Sequence, residues 1–285
     1  MHHWRTLQWS SWLGWQIDSN WASLPLFVLY TLVKPLCGCL LLVCMYWAAQ
    51  AASGGSAPAG LLPFLYLSSA CFLLVAGVTV GMTHAVVTDR ESYGMLKFVR
   101  ISPINLRGYL IGRGLARAGQ AVVGACVTVA AGVILFPEFR GALAAHGVAW
   151  GWLLLYVTAG LLMLVATGLL LAAAVLQMAR YGMFLSEGVA GVLYLLSGAV
   201  FPITVLPPWL RPLSYALPPT YWLEGMRRAL LGPAEPGAAF GDWDHAHLAL
   251  ALVTGSVALA GVAHVFFRWS EGRAWRLGRY DEVSG

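Results

Sequence analysis

Long apolar runs separated by short polar breaks pattern the chain from residue 24 to residue 269. Six such runs occur: 24–49, 61–87, 109–136, 148–176, 184–205 and 248–269. Each reaches about twenty residues, the length a helix needs to cross a hydrocarbon core of roughly 30 Å. The pattern predicts an all-α integral membrane protein with six transmembrane helices, forming one transmembrane domain over residues 1–285.

Composition agrees. The chain is 59% hydrophobic and 10% charged, against about a quarter charged for a soluble domain. Its 13 Trp and 11 Tyr suit two interfacial aromatic belts. The five cysteines all fall inside apolar runs, so neither a disulfide framework nor a zinc site is expected.

Residues 1–23 differ from the runs. Trp4, Trp9, Trp12, Trp15 and Trp21 alternate with Arg5, Gln8, Gln16, Asp18 and Asn20. A cleavable signal needs a compact apolar stretch. Repeated Trp with polar neighbours instead predicts an interfacial helix lying along the membrane.

Charge sets the orientation. Placing both termini in the cytoplasm puts 12 Lys and Arg on that side and 4 outside, with Lys34 inside the first run. Excess cations mark the cytoplasmic face. That bias accounts for the net charge of +5 without nucleic acid.

The longest charged island lies at 88–107, TDRESYGMLKFVRISPINLR, between the second and third runs. Thr88 and Glu91 fit a capping box, and Ser102-Pro103 fits a helix end, so a short helix is expected between them. On it Arg90, Tyr93, Lys97 and Arg100 share one face, and Met95, Phe98 and Val99 share the other. Either this helix lies on lipid phosphates or it docks a cytoplasmic partner.

The stretch at 206–232 stays apolar and aromatic yet is rich in proline: Pro207, Pro208, Pro212, Pro218 and Pro219 follow Pro202. Proline divides helices into short pieces, and irregular backbone at membrane depth must be satisfied by protein or water. Short re-entrant helices dipping into the outer leaflet are expected between spans five and six.

Catalytic and cofactor motifs do not stand out. The chain has neither a G-x-x-x-x-G-K-[ST] loop nor a G-x-S-x-G. DWDHAH at 242–247 has ligand chemistry for a metal, but a solvated helix start explains its acids equally well. Lys34 stands within the first span, where a charge is costly and points to function unless it snorkels. Arg113, Arg117 and Gln120 enter the third span at helical spacing, and Glu187 near the start of the fifth is a possible partner. Gly77 and Gly81, Gly108 and Gly112, and Gly147 and Gly151 form small-xxx-small pairs suited to close helix approach. An ion-coupled carrier or channel would need membrane-buried acids, for which Glu187 is the nearest candidate. A membrane-embedded enzyme would need a paired acid and base, for which only the His245 region qualifies.

Two motif sets together resemble the membrane subunit of an ABC-2 type exporter. The first is Asp89-Arg90-Glu91, Gly94, Ser102-Pro103 and Gly112-Arg113. The second is Gly198-Ala199-Val200-Phe201-Pro202, Leu206-Pro207-Pro208-Trp209-Leu210, then Pro219-Thr220-Tyr221, Glu224 and Arg227. The doubled Pro207-Pro208 and Pro218-Pro219 depart from that pattern. The resemblance implies that the 88–107 island is a coupling helix seated in a separate ATPase subunit through Arg90, Glu91, Tyr93, Gly94, Met95, Lys97 and Phe98. It implies two permease copies, as a homodimer, with two ATPases in a bacterial cytoplasmic (inner) membrane. ATP and Mg would sit on the partner, with no cofactor in this chain. The implied cargo is an amphipathic or lipid-linked molecule (drug, lipid or glycan), and Lys34, Arg113, Arg117, Tyr221 and Glu224 are the expected lining of its path.

Overall fold

A computed structural model describes residues 2–20, 23–52, 54, 60–178, 181–233 and 239–280. Most of the 50–60 linker and Arg180 lie outside the described residues. The architecture is helical, without strands among the described residues. Five helices are long and apolar enough to cross a membrane. These are α2 (Leu24–Ala52), α3 (Leu61–Val87), α5 (Leu106–Leu135), α7 (Trp150–Leu176) and α11 (His245–Arg276). Around them stand α1 (His2–Asn20), α4 (Leu96–Ile101), α6 (Pro137–His146), α8 (Gly182–Leu196), α9 (Arg211–Ala216) and α10 (Pro218–Leu231).

Lipid tails are as apolar as leucine, so these helices associate by close packing and hydrogen bonds rather than by burial from water. The contacts follow that rule. A Cβ on Gly77 would lie 2.7 Å from the Ala121 Cβ, and one on Gly81 would lie 2.6 Å from the Arg117 Cγ. Gly132 leaves room for the Tyr66 ring against α5, where its hydroxyl donates to the Thr128 carbonyl at 2.6 Å. The expected close approach fails at Gly151, which faces open space.

α1 is more than a surface anchor. It lies along α5 so tightly that a Cβ on Gly112 would overlap Ser10, and the Ser11 hydroxyl donates to the Gly112 carbonyl at 2.9 Å. Trp4, Trp9, Trp12 and Trp15 point away from that contact and are exposed.

The island departs from the expected single helix. Thr88 keeps helical angles (φ −64°, ψ −44°), and α3 runs on through it into a π-helical turn over Thr88–Ser92. Thr88 and Glu91 therefore form no capping box. The preceding apolar span has no break there, and propagating a helix costs less than starting one. The chain leaves the helix at Gly94, whose φ of +59° favours glycine. α4 starts only after it.

The fifth expected span, 184–205, also divides. Its helix α8 has 15 residues, about 22 Å at 1.5 Å each. Gly198 then turns the chain at φ +76°, and Pro202 precedes a single 3₁₀ turn at Ile203–Val205. Proline cannot continue the helical hydrogen-bond ladder, so the apolar run outlasts the helix.

α10 begins in the middle of the bundle. A Cβ on Gly255, ten residues into α11, would stand 3.2 Å from the Pro218 Cγ. Trp222 presses on Gly160, midway along α7, and its indole N–H donates to the Tyr156 carbonyl at 2.9 Å. Gly225 abuts the Tyr156 ring, and Gly232 abuts His146 at the end of α6. α10 thus climbs from mid-bundle to the end that carries α6.

Candidate functional site

Between α1, α2, α3, α5 and α8 lies a cavity of about 840 Å³. Its charged and polar lining is spread along it: Asp18, His84 and Arg117 gather toward the end that carries α4, while Lys34 lies deeper, on the α2 turn whose Thr31 and Pro35 pack against Gly124. Asp18 reaches it from α1, Lys34 from α2, His84 from α3, Arg117 and Gln120 from α5, and Glu187 from α8. Further in, Leu73, Ala76 and Gly77 on α3, Ala121 and Gly124 on α5, and Ala190 and Gly191 on α8 share the walls with Ser69, Phe72 and Tyr194.

Local sequence explains this polarity. Pro35 has no amide hydrogen, so it frees the Thr31 carbonyl one turn back on the cavity wall. Gly81 leaves room for the stem of Arg117, which reaches the Asp18 carboxylate at 2.7 Å. That carboxylate is about a tenth exposed and the guanidinium about a third. Burial raises the Asp18 carboxyl above its usual range, more than Arg117 lowers it. Lys34 and Glu187 are both exposed along the same lining.

The expected path residues part company here. Lys34 and Arg117 both line the cavity. Arg113 does not line it: its Nη1 is 3.1 Å from Asp89 Oδ1, and Tyr109 donates to Asp89 Oδ2 at 2.7 Å. These three groups are buried together where α3 joins α5. Tyr221 and Glu224 are remote as well. The Tyr221 hydroxyl donates to the Tyr215 carbonyl at 2.6 Å, and its ring stacks on Trp243. Glu224 accepts from Arg227 at 2.7 Å and Arg228 at 3.0 Å. Arg227 also donates to the Ser68 hydroxyl and the Gly198 carbonyl, both at 2.9 Å, and Arg228 donates to the carbonyls of Phe240 and Trp243. Burial would raise the Glu224 carboxyl, but the two arginines outweigh it and hold it below the usual range. This cluster fastens the broken segment to α3 and to the approach to α11.

The 88–107 residues also separate. Arg90 is buried at 1% exposure, with Glu91 at 3.1 Å, so its guanidinium is part of the interior and not of a docking face. Helical continuation through Thr88 rotates it inward, against the expectation from a helix starting there. Met95 is half-buried, its amide bonded to the Asp89 carbonyl at 2.8 Å. Leu96 anchors α4 in the core at 0% exposure. Tyr93 and Phe98 are exposed, and Lys97 lies over the Phe98 ring at 5.5 Å. Ile101 and Ile104, which the helical-face argument passed over, are exposed as well, whereas Tyr93 also lines the cavity. A second omission is the hold of α11 on this segment. Arg100 lies 3.7 Å from Glu271 and over the Trp275 ring, and Arg107 meets His264 at 3.1 Å and the Phe267 ring at 5.4 Å.

The DWDHAH histidines are engaged with aromatic rings. His245 stacks on Trp152 at 5.1 Å and lies 3.2 Å from the Tyr156 hydroxyl, and His247 faces Trp243.

A search of curated proteins returns no match. Residues 15–231 match the family described as ABC-2 type transporter, and by that match over most of its length the chain belongs to this family of membrane transport components.

Proposed function

We propose that the chain is the permease subunit of an ATP-driven exporter, working as a homodimer with two copies of a cytoplasmic ATPase in a bacterial inner membrane. The family generally works with an ABC ATPase. In this reading both termini and α4 face the cytoplasm, as the cation excess requires. α8 with the segment after it makes the sixth crossing, and α9 and α10 are the re-entrant pair. α10 rising from mid-bundle supports that reading. ATP and Mg belong to the partner.

The observation that carries the proposal is the exposed apolar strip Phe98, Ile101 and Ile104 on the link between α3 and α5; Tyr93, also exposed, lines the cavity instead. An interface core is apolar with charges at its rim. Lys97 and Gly94 flank the strip, while Arg90, Glu91 and Met95 stiffen it from behind. The cavity with Lys34 and Arg117 is the path for an amphipathic or lipid-linked cargo. Phe98→Ala with Ile101→Ala is expected to weaken recovery of the ATPase complex at least tenfold, since a central aromatic anchor is worth about 2 kcal/mol or more. Permease yield and melting should stay unchanged. Undiminished recovery of the complex would refute the docking assignment.

A further inference from the structure

α4 has six residues and one fully buried side chain, Leu96. A helix that short is not rigid by itself. Its support lies on α11. His264, Phe267, Glu271 and Trp275 recur there at intervals of three, four and four, so they form one ridge. Each meets the link between α4 and α5. Arg100, in the last turn of α4, lies over the Trp275 ring at 5.5 Å with Glu271 3.7 Å away. Arg107, at the start of α5, lies over the Phe267 ring at 5.4 Å and meets His264 at 3.1 Å. The two rings are eight residues apart, about 12 Å along the helix axis. The exposed Ile101 and Ile104 fall between the two arginines in the chain.

The ridge is itself held. The Ser270 hydroxyl donates to the Ala173 carbonyl at 2.5 Å, and the Gln177 side-chain amide donates to the Ser270 carbonyl at 2.7 Å. These bonds fasten the end of α11 to the end of α7. α11 then closes in a Schellman turn: the Gly278 amide donates to the Trp275 carbonyl, the Arg279 amide donates to the Ala274 carbonyl, and Gly278 takes a φ of +68°. The turn brings Tyr280 back into the interior, with its ring edge-to-face against Trp275 at 6.2 Å. Burial pushes the Tyr280 phenol up to about 12, and the charges of Glu271 and Arg100 both reach it.

We propose that this ridge, closed by the Tyr280 hook, is a saddle that positions the α4–α5 link for the ATPase. Arg100 and Arg107 are its positioning residues, and the surface they set is Phe98, Ile101 and Ile104. Each arginine has two partners on α11, a ring and a polar group, so the link is fixed in rotation as well as in place. Without the saddle, α4 would be held by its covalent ends and by Leu96. This inference rests on the permease reading and deepens it by naming the surface that sets the docking geometry.

The test joins backbone hydrogen exchange of the detergent-purified permease to its affinity for the co-expressed ABC ATPase. Trp275→Ala is expected to speed exchange at residues 96–105 roughly tenfold and to weaken ATPase binding by a similar factor, as the loss of one partly buried cation–π contact allows. Exchange within α7 and the melting temperature should not move. Arg100→Ala makes the same test from a side chain about a third exposed, away from helix packing. The double variant should lose roughly tenfold and not a hundredfold, because both changes remove one contact. Trp275→Phe keeps a ring and should restore both readouts. Exchange at 96–105 that neither Trp275→Ala nor Arg100→Ala moves, or losses that multiply in the double variant, overturns the saddle. Faster exchange with unchanged ATPase affinity overturns its positioning role while docking itself stands. A wild-type permease that does not bind the ATPase overturns the permease reading and this role together.

Discussion

The Glu224 cluster and the cavity are built from the same residue types and use them in opposite ways. At Glu224 each charge is buried and answered: one carboxylate takes both arginines, and their remaining N–H groups reach carbonyls and the Ser68 hydroxyl. In the cavity the charges sit on separate helices, and Arg117, Lys34 and Glu187 keep exposed surface. A closed set of charges holds segments together. A set with exposed surface keeps its charges toward the open space of the cavity. Helix position alone does not separate these two cases; burial does.

The sharpest way to break the comparison is Glu224→Gln. It leaves two buried guanidiniums without a counter-charge, a loss of about 3–5 kcal/mol. Thermal melting of the detergent-purified protein should fall steeply, or the protein should fail to accumulate. A near wild-type melting point would show that the cluster does not hold the segment.

Gly81→Ala comes next. The new Cβ would lie 2.6 Å from the Arg117 Cγ and 2.7 Å from its Cβ, near the root of the side chain, which cannot swing clear. Overpacking of this kind costs about 1–3 kcal/mol. Gly151→Ala, on open space, should leave melting unchanged and serves as the control.

Asp18→Asn should have the smallest effect on stability, about 0.2–1 kcal/mol, because its partner is a third exposed. Its value lies in the pH response. The folded Asp18 carboxyl is raised, so the native state holds its proton longer than the unfolded chain, and this group's contribution declines as pH rises above the usual carboxylate range. The folded Glu224 carboxyl is lowered, so its contribution is present above that range and is lost as pH falls. Melting temperature followed against pH should lose the decline just above the usual carboxylate range in Asp18→Asn and keep its loss at lower pH. An identical profile for wild type and variant would remove Asp18 from the cavity's electrostatics.

Sequence pattern located the long helices well, because twenty-residue apolar runs have few other stable forms. Within the fifth run, 184–205, the helix stops at Leu196 while the apolar run continues past Gly198. Hydropathy registers the environment of a segment and not its backbone. Lys34 and Arg117 were legible as costly charges in spans, and Glu187 as a possible partner. Asp18 was hidden because its weight depends on α1 docking along α5, a contact made by Gly112 and Ser10 that no periodicity reports. Arg113 and Glu224 looked like the cavity residues by type, and only their partners, Asp89 and the two arginines, reveal different work. Arg90 was misplaced by a local signal, the capping box, that the continuing helix overrode.

The buried arginines of α10 also impose an order on biosynthesis. A 14-residue helix is too short to span, and charged side chains at mid-membrane cost roughly 2.5–3.5 kcal/mol apiece during insertion. α10 therefore cannot be left in lipid as an independent segment. Ser68 is already available on α3 when α10 emerges, but the carbonyls that receive Arg228, at Phe240 and Trp243, follow it in the chain. The wall that Pro218 leans on, at Gly255, comes later still. The segment can seat fully only after the start of α11 has been made, so the α6 end of the bundle closes last, as a post-insertion step that a truncation before residue 240 would prevent.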